Sequence, residues 1–181
     1  MKVIACDIDG PLIIEPEVFG DDRGFFMESW NAGAFAEAGL DIAFVQDNHS
    51  RSDKGVLRGL HFQNPCAQGK LVRVVRGAVF DVAVDLRRSS PTFGKWVGVE
   101  LSGRNHRMLW IPRGFAHGFL TLEDGTDFLY KCDAPYAPEH EVTLAWDDPD
   151  VAIEWPTAGL DIRLSAKDRD GRSLTEIEAL V

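Results

Sequence analysis

The chain has 181 residues, 45% of them hydrophobic and 27% charged, which is typical of one globular domain with a core of normal size. Its 29 Asp and Glu outnumber its 19 Lys and Arg, and the resulting net charge of −10 argues against a general nucleic-acid-binding protein, which would carry a basic face. The sequence contains no apolar stretch of the roughly 18 residues that a membrane span needs. Three widely separated cysteines, Cys6, Cys66 and Cys132, indicate reduced thiols and a cytoplasmic location. We therefore expect a single domain over residues 1–181.

The first element in the chain is a predicted strand over residues 3–6, followed by the DxDG sequence Asp7–Gly10. This pattern occurs in phosphatases that use an aspartate nucleophile. Their fold needs alternating strands and helices around a parallel sheet, whereas the rest of this chain offers strands and turns, so we set that hypothesis aside. A short helix is predicted next, over Asn31–Ala38, ending at Gly39.

The middle of the chain predicts a series of short strands separated by turns rich in Gly and Pro. The alternation is clearest where Phe80, Val82 and Val84 alternate with shorter or acidic side chains. Spacing of this kind is typical of an antiparallel sandwich or barrel. A second short helix is predicted over Ser173–Leu180. The predicted strands are Leu71–Val75, Ala78–Leu86, Trp96–Leu101, Met108–Ile111, Phe115–Leu122, Thr126–Cys132 and Val142–Trp146.

Polar side chains interrupt these strand-like stretches. Alternate side chains of a small barrel point inward, and buried polar groups need partners, so a polar cluster at the mouth of a barrel indicates a binding site. Taken singly, any one of these side chains could instead face solvent. The residues concerned are His61, Gln63, Lys70, Asp81, His117 and Tyr130.

One motif, Pro112-x-Gly114-x-x-His117, resembles the second half of the double motif of the cupin superfamily, whose members are small jelly-roll barrels. The first half of that motif usually supplies HxH and a Glu as metal ligands, but here Gln63 stands where the second His is expected. A metal site needs several donors that converge on one point, and His61 and His117 supply only two. A metal-dependent oxygenase is therefore a minor alternative, and no metal is expected.

A series of sequence blocks, in a specific joint order and spacing, carries a closer resemblance that runs from about residue 11 to residue 170. The blocks are Asp22–Glu28, Gln46–Ser50, Gly55–Gln63, Ala67–Val72, Phe80–Asp85, Gly114–Phe119, Tyr130–Lys131 and Leu164–Asp168. Together they resemble the dTDP-4-dehydrorhamnose 3,5-epimerase family, metal-free cupins of sugar-nucleotide metabolism. The resemblance implies an all-β cupin jelly-roll barrel of antiparallel strands with few short helices and no cofactor.

The resemblance also implies a reaction, the epimerisation of dTDP-4-dehydro-6-deoxy-D-glucose at C3 and C5 to dTDP-4-dehydro-L-rhamnose, the precursor of dTDP-L-rhamnose. The ketone at C4 of this sugar makes the protons on C3 and C5 acidic. Inversion needs a base on one face of the ring, an acid on the other, and a positive or hydrogen-bonding group at the ketone oxygen.

Four residues match the catalytic positions of the family. His61 matches the base, since a neutral imidazole titrates near neutrality, and Asp168 matches the carboxylate that orients it. Tyr130 matches the acid that reprotonates the opposite face, and Lys70 matches the group that stabilises the enolate. Considered without the resemblance, they could be a structural histidine, a helix cap, a core aromatic residue and a solvated strand lysine.

Further residues match positions that bind the substrate in the family. Arginine pairs well with phosphate oxygens, amide and carboxylate groups can pair with the edge of a thymine, and an aromatic ring can stack on the base. Tyr136 is added because it lies near Tyr130 in the sequence. The matches are Arg23 and Arg58 for phosphate, Glu28, Gln46, Asp47 and Asn48 for the nucleotide, Phe26 for stacking, His117 for the sugar or phosphate, and Glu141 and Lys167 for other binding positions of the family.

The expected partner is a dTDP-4-keto-6-deoxy sugar, with no nucleic acid and no membrane. Family members are usually homodimers, and an N-terminal strand exchanged between subunits fits this sequence. Two alternatives share the same motifs and stay open. One is an epimerase of antibiotic-sugar synthesis that acts only at C3 or only at C5, and the other is a cupin that binds a sugar nucleotide without catalysis.

Overall fold

A computed structural model describes residues 1–178 and is built mainly of antiparallel β-strands. The helices are short: α1 (Ala32–Glu37), α2 (Ala166–Arg169) and α3 (Leu174–Glu178), with a 3₁₀ turn at Pro138–His140. The strands are β1 (Lys2–Ala5), β2 (Leu12–Glu15), β3 (Val18–Asp21), β4 (Gly24–Met27), β5 (Gln46–Ser52), β6 (Leu57–Gln63), β7 (Lys70–Arg76), β8 (Ala78–Asp85), β9 (Trp96–Ser102), β10 (Met108–Ile111), β11 (Phe115–Thr121), β12 (Thr126–Cys132) and β13 (Glu141–Thr143).

The strands form two large sheets and one hairpin. One sheet has the order β1-β2-β10-β7-β12-β5, the other has the order β13-β6-β11-β8-β9, and β3 pairs with β4 alone. Side chains from both sheets share one apolar core, in which Leu109 and Phe128 of the first sheet meet Val79 and Phe119 of the second. The predicted all-β fold of antiparallel strands is therefore confirmed, with the interior of the barrel between the two sheets.

The five-stranded sheet is buried on both faces. Its outer face packs against the C-terminal part of the chain, where Leu60 and Val82 join Leu144 and Ile177 in a second core. This double burial explains why every residue of β8 except Phe80 is buried, including Asp81. The alternation seen in the sequence of β8 thus separates two buried faces, rather than one buried face and one wet face.

The outer face of the six-stranded sheet is covered by residues 30–44, which include helix α1. Phe35 of α1 packs with Ile14, Met108 and Trp110 in a third core. The helix begins after Asn31, whose side-chain oxygen accepts a hydrogen bond from the backbone N–H of Ala34. The predicted helix at 31–38 is therefore confirmed to within one residue at each end.

Six of the predicted strands match β7 to β12 within one residue, whereas the predicted strand Val142–Trp146 is wrong in extent, since β13 covers Glu141–Thr143. The C-terminal helix predicted over Ser173–Leu180 is confirmed over Leu174–Glu178, and its remaining residues 179–180 lie outside the described part of the chain. Within residues 1–178, no helix is both long enough and apolar enough to cross a membrane.

Candidate active site

A polar cavity of about 440 Å³ lies between the two sheets, open at one end of the barrel. Strands of both sheets and helix α2 contribute to its wall, and it is lined almost equally by predicted site residues and by residues that the sequence analysis did not single out. The predicted residues in the wall are Gln46, Asn48, Arg58, His61, Lys70, His117, Tyr130, Tyr136, Glu141, Lys167 and Asp168.

The strand register explains how these residues meet. In the six-stranded sheet Tyr130 of β12 stands opposite Asn48 of β5, and Cys132 stands opposite Lys70 of β7. In the five-stranded sheet His61 of β6 stands opposite His117 of β11. Because directly opposed residues of antiparallel strands point to the same face, each sheet presents its own set of polar groups to the cavity. His61 and Tyr130 therefore enter from opposite walls.

His61 and Asp168 form a hydrogen-bonded pair, with 2.7 Å between His61 Nε2 and Asp168 Oδ1. Asp168 also accepts hydrogen bonds from the Ser165 hydroxyl at 2.6 Å and from the Gly59 backbone N–H at 3.3 Å. Burial raises the pKa of Asp168, but the hydrogen bonds from His61 and Ser165 outweigh burial and hold the pKa at about 2. An ionised Asp168 can only accept, so the neutral form of His61 carries its hydrogen on Nε2 and has its lone pair on Nδ1.

The local structure of α2 fixes the carboxylate of this pair. Ser165 is the N-cap of α2, and its hydroxyl oxygen accepts a hydrogen bond from the backbone N–H of Asp168. The alternative reading of Asp168 as a helix cap is therefore wrong, because Ser165 occupies the cap position. Asp168 is the third residue of the helix. It is buried there and faces β6.

The opposite wall carries Lys70 and Tyr130. Burial lowers the pKa of the Lys70 ammonium, while nearby Cys132 and Glu141 act in the other direction. Burial also raises the pKa of the Tyr130 phenol, so its hydroxyl stays protonated at neutral pH. This wall therefore offers an O–H donor and N–H donors to a group bound between the sheets.

His117 belongs to a second pair, deeper in the wall. Its Nε2 lies 3.1 and 3.0 Å from the two carboxylate oxygens of Asp81, and both side chains are buried. Burial lowers the pKa of His117, which favours the neutral imidazole. His117 still touches the cavity.

The rim of the cavity holds a chain of charged and phenolic groups. The Tyr136 hydroxyl donates to Glu141 Oε2 at 2.7 Å, and Lys167 Nζ lies 2.7 Å from Glu141 Oε1. The hydrogen bond to Glu141 raises the pKa of Tyr136 to about 12. Arg58 lies further along the wall and donates from Nε to the Ser52 hydroxyl at 3.1 Å.

Four predicted binding residues lie outside this cavity in the single chain. Arg23 and Phe26 sit on the exposed β3–β4 hairpin, where Arg23 pairs with Asp21. Glu28 follows the hairpin and accepts a hydrogen bond from Asn31. Asp47 is on β5 but points to the opposite face from Gln46 and accepts a hydrogen bond from Lys131 at 2.9 Å.

Sequence reasoning missed several residues of the wall. Gln63 was named as a polar strand residue and as a weak metal ligand but was given no place in the substrate site, and Gln68, Cys132 and Ser165 were given no role, although all four line the cavity. The available signal was period two along a strand, since Gln63 lies two residues after His61 and Cys132 two residues after Tyr130.

The donor set does not form a metal centre in the part of the chain that the structure describes. No group of three or more His, Cys, Asp or Glu side chains comes together there as ligands would. The imidazoles of His61 and His117 are each bonded to an aspartate, and both ends of the Gln63 amide are bonded to backbone groups.

Comparison with known proteins gives a consistent match. The family model described as dTDP-4-dehydrorhamnose 3,5-epimerase matches residues 5–176. The dTDP-4-dehydrorhamnose 3,5-epimerase of Pseudomonas aeruginosa is 56% identical over 179 residues, which cover 98% of each chain.

Solved structures also match this chain, and these structural neighbours have a cupin-like fold. The dTDP-6-deoxy-D-glucose-3,5-epimerase of Legionella pneumophila, solved with dTDP-4-keto-L-rhamnose, is 54% identical, covers 98% of this chain and 95% of its own, and superposes with a TM-score of 0.95. A 3′-monoepimerase from Streptomyces bikiniensis, solved with dTDP-quinovose, is 34% identical over 98% of this chain and 90% of its own, with a TM-score of 0.91.

Proposed function

The chain belongs to the dTDP-4-dehydrorhamnose 3,5-epimerase family and has that enzyme activity, and we propose that His61 and Tyr130 carry out its two inversions from opposite walls of the cavity. The substrate is dTDP-4-dehydro-6-deoxy-D-glucose, and the product is dTDP-4-dehydro-L-rhamnose, for dTDP-L-rhamnose biosynthesis. The observation that carries the proposed mechanism is the position of a carboxylate-anchored imidazole across one cavity from a half-buried phenol.

His61 acts as the base. Asp168 holds the hydrogen on Nε2, so the lone pair on Nδ1 is free to take a proton from C3 or C5. The imidazolium that forms is stabilised by the ionised Asp168 at 2.7 Å. The electron pair of the broken C–H bond moves into the ring and onto the ketone oxygen at C4, which gives an enolate.

Lys70 stabilises that enolate. It lies on the wall opposite His61, and its N–H groups can donate to the oxygen on which negative charge develops. Removal of one such donor costs about 3 kcal/mol in transition-state stabilisation.

Tyr130 supplies the proton to the opposite face of the same carbon. Its raised pKa keeps the hydroxyl protonated until the carbanion takes the proton. The phenolate and the imidazolium then return to their starting states by proton exchange with water, and the cycle repeats at the second carbon.

The nucleotide end of the substrate is bound by the polar rim. Arg58 and Lys167 supply positive charge for the diphosphate, while the amides of Gln46 and Asn48 can pair with the base. His117, Glu141 and Tyr136 complete the wall beside the sugar. Local cations are needed because the protein as a whole carries a formal charge of −10.

The remaining predicted contacts come from a second copy of the chain, because the enzyme is a homodimer in this proposal. The β3–β4 hairpin pairs only with itself, and Phe19, Phe25 and Phe26 on it are 57%, 60% and 70% exposed. The outer edge of β5 ends the six-stranded sheet beside the cavity. A hairpin exchanged between subunits would cover both features and would bring Arg23, Phe26 and Glu28 to the partner's site, while Asp47 pairs with Lys131 of the neighbouring strand.

Mixing two impaired variants tests this arrangement. His61→Ala removes the base in its own cavity, and Arg23→Ala weakens the site of the partner, so mixed dimers should contain one intact site and recover activity. Light scattering at micromolar concentration should give twice the mass of the chain. A monomeric mass would overturn the dimer, and no recovery after mixing under exchange conditions would overturn the exchanged hairpin.

Deuterium uptake from D₂O tests the reaction itself. We expect label at both C3 and C5 of the product, because each inversion replaces a carbon-bound proton with one from solvent. Label at one position would instead support a single-centre epimerase, the activity named for the Streptomyces bikiniensis relative. Binding without label would support a non-catalytic sugar-nucleotide-binding cupin.

Two further expectations belong to this proposal. Residues 1–181 form one domain, which predicts a single cooperative unfolding transition. The enzyme is cytoplasmic, since Cys6, Cys66 and Cys132 are free thiols, and cell fractionation would test the compartment.

A further inference from the structure

One segment joins the two walls of the cavity at its mouth. Residues 133–140 leave β12 of the six-stranded sheet just after Cys132 and reach β13 of the five-stranded sheet at Glu141. We call residues 133–140 the crossing segment. It carries Tyr136 to the rim, and it links the strand of Tyr130 to the strand that pairs with β6, on which His61 lies.

Gln63 holds this segment with both halves of its side-chain amide. Its Nε2 donates to the carbonyl oxygens of Cys66 at 2.7 Å and Pro135 at 3.5 Å, and its Oε1 accepts from the backbone N–H of Ala137 at 3.0 Å. The side chain is 5% exposed. Because Gln63 follows His61 by two residues on β6, it reaches the crossing segment from the base strand.

Two other glutamines bind the backbone of the crossing segment at neighbouring residues. Gln68 donates to the carbonyl of Ala134 at 2.7 Å, and Gln46 accepts from the backbone N–H of Tyr136 at 2.8 Å. The backbone is therefore gripped at each residue from 134 to 137, and Gln63 is the side chain that grips it at two of them. Opposite Gln63 in the strand register stands Glu141, which takes the hydroxyl of Tyr136.

We propose that Gln63 is a positioning residue that holds the crossing segment and Tyr136 against the base strand, and so closes the cavity over the sugar. This inference rests on the proposed function, since it assigns a role within the same two-step reaction. A closed rim retains the sugar between the first and second inversion. Without the Gln63 contacts the rim opens, substrate binds less tightly, and product inverted at one centre escapes.

Two variants separate these contacts. Gln63→Ala removes all of them, whereas Gln63→Glu is nearly isosteric and keeps an acceptor for Ala137 but presents a carboxylate to the carbonyls of Cys66 and Pro135. We expect both to raise KM about tenfold, as the loss of one or two buried hydrogen bonds implies, with a smaller change in kcat. The fraction of product labelled at only one carbon in D₂O should rise several-fold.

Asn105→Ala is the matched control. Asn105 also binds backbone on both ends of its amide, accepting from Ser102 and Arg107 at 3.0 Å and donating to Glu100 at 2.9 Å, in a turn away from the cavity. This variant should be less stable than the wild type. Its KM and the label pattern of its product should be unchanged. Gln63 variants that behave like Asn105→Ala in both measurements would overturn the inference.

Amide hydrogen exchange tests the clamp without turnover. The backbone N–H of Ala137 should exchange faster in Gln63→Ala than in wild type, and unchanged protection would overturn the clamp even if activity fell. Failure of the proposed function is distinct, because it would appear as an absence of carbon-bound label in the wild-type protein itself.

Discussion

His61 and His117 stand directly opposite each other on β6 and β11, and each bonds through Nε2 to an aspartate. Their surroundings differ. The His61 side chain is 24% exposed and faces the cavity, whereas that of His117 is 7% exposed and its partner Asp81 is fully buried. Two similar pairs in one sheet therefore have different access to a substrate and to water.

The partners of the two histidines differ as well. Asp168 is held ionised by several donors, with a pKa of about 2, and sits on a helix that comes from outside the sheet. Asp81 lies within the sheet on β8, where burial raises its pKa. The comparison predicts that a histidine–aspartate pair serves as a base only where its free nitrogen meets the substrate and solvent can take up the abstracted proton.

The sharpest test of this comparison is His61→Ala. Removal of the base should lower the rate of solvent deuterium incorporation at C3 and C5 by about 10⁴-fold, the upper range for a general base. Nuclear magnetic resonance of the product in D₂O measures both positions.

His117→Ala provides the contrast to that variant. It should raise KM but retain incorporation of label at both carbons, because in the proposed mechanism His117 contacts the substrate without abstracting its protons. If His117→Ala lost label as fully as His61→Ala, the division of roles between the two pairs would be wrong.

Asp168→Asn should give the next largest effect. The amide can donate to Nε2, which would place the hydrogen of His61 on Nδ1 and block the lone pair that abstracts the proton. We expect a loss of about 10³-fold in kcat with little change in KM. Asp85→Asn is a suitable control, since Asp85 is also buried and also has a pKa of about 2, but bonds to Arg87 away from the cavity. Equal losses in the two variants would point to folding, not to the tautomer.

Tyr130→Phe should have a smaller effect, about 10²-fold on product formation. His61 remains able to remove protons, so label should still exchange into recovered substrate from the face that His61 occupies. Inversion, which needs a proton from the opposite wall, should be slow. Complete loss of exchange into substrate would mean that Tyr130 is needed before proton abstraction.

The sequence predicted the strands in which apolar and polar side chains alternate, but it predicted no strand over β5. Strands β7 to β12 have apolar inward residues over most of their length, so the two-residue alternation in the sequence reveals them. The inward residues Gln46 and Asn48 of β5 are polar because they line the cavity, and the strand therefore has no apolar face for the pattern to show. Function here removed the signal that would have revealed the strand.

The alternation of side chains along the sequence also could not predict which distant residues pair in the fold. Asp168 lies 107 residues after His61, and only the fold brings the two together. Their pairing, like the binding roles of Arg23, Phe26 and Glu28, was expected from the family resemblance and not from spacing. The clamp of Gln63 had neither source, because its partners are backbone atoms, which the sequence does not display.

The pH dependence of the stability of the protein tests the protonation state of His117 in the comparison of the two histidine–aspartate pairs. Burial lowers the pKa of folded His117 below its ordinary value of about 6.5, so the unfolded chain binds a proton more readily than the folded chain. This contribution to stability is present above the unfolded pKa and is lost as the pH falls through about 6.5 toward the lower folded value. His117→Gln keeps a donor for Asp81 and removes the titration, while Asp81, Lys70 and His61 remain to face the site. Urea midpoints at pH 8 and pH 5.5 should therefore differ less in this variant than in wild type, and an equal or larger difference would mean that His117 is charged in the folded protein.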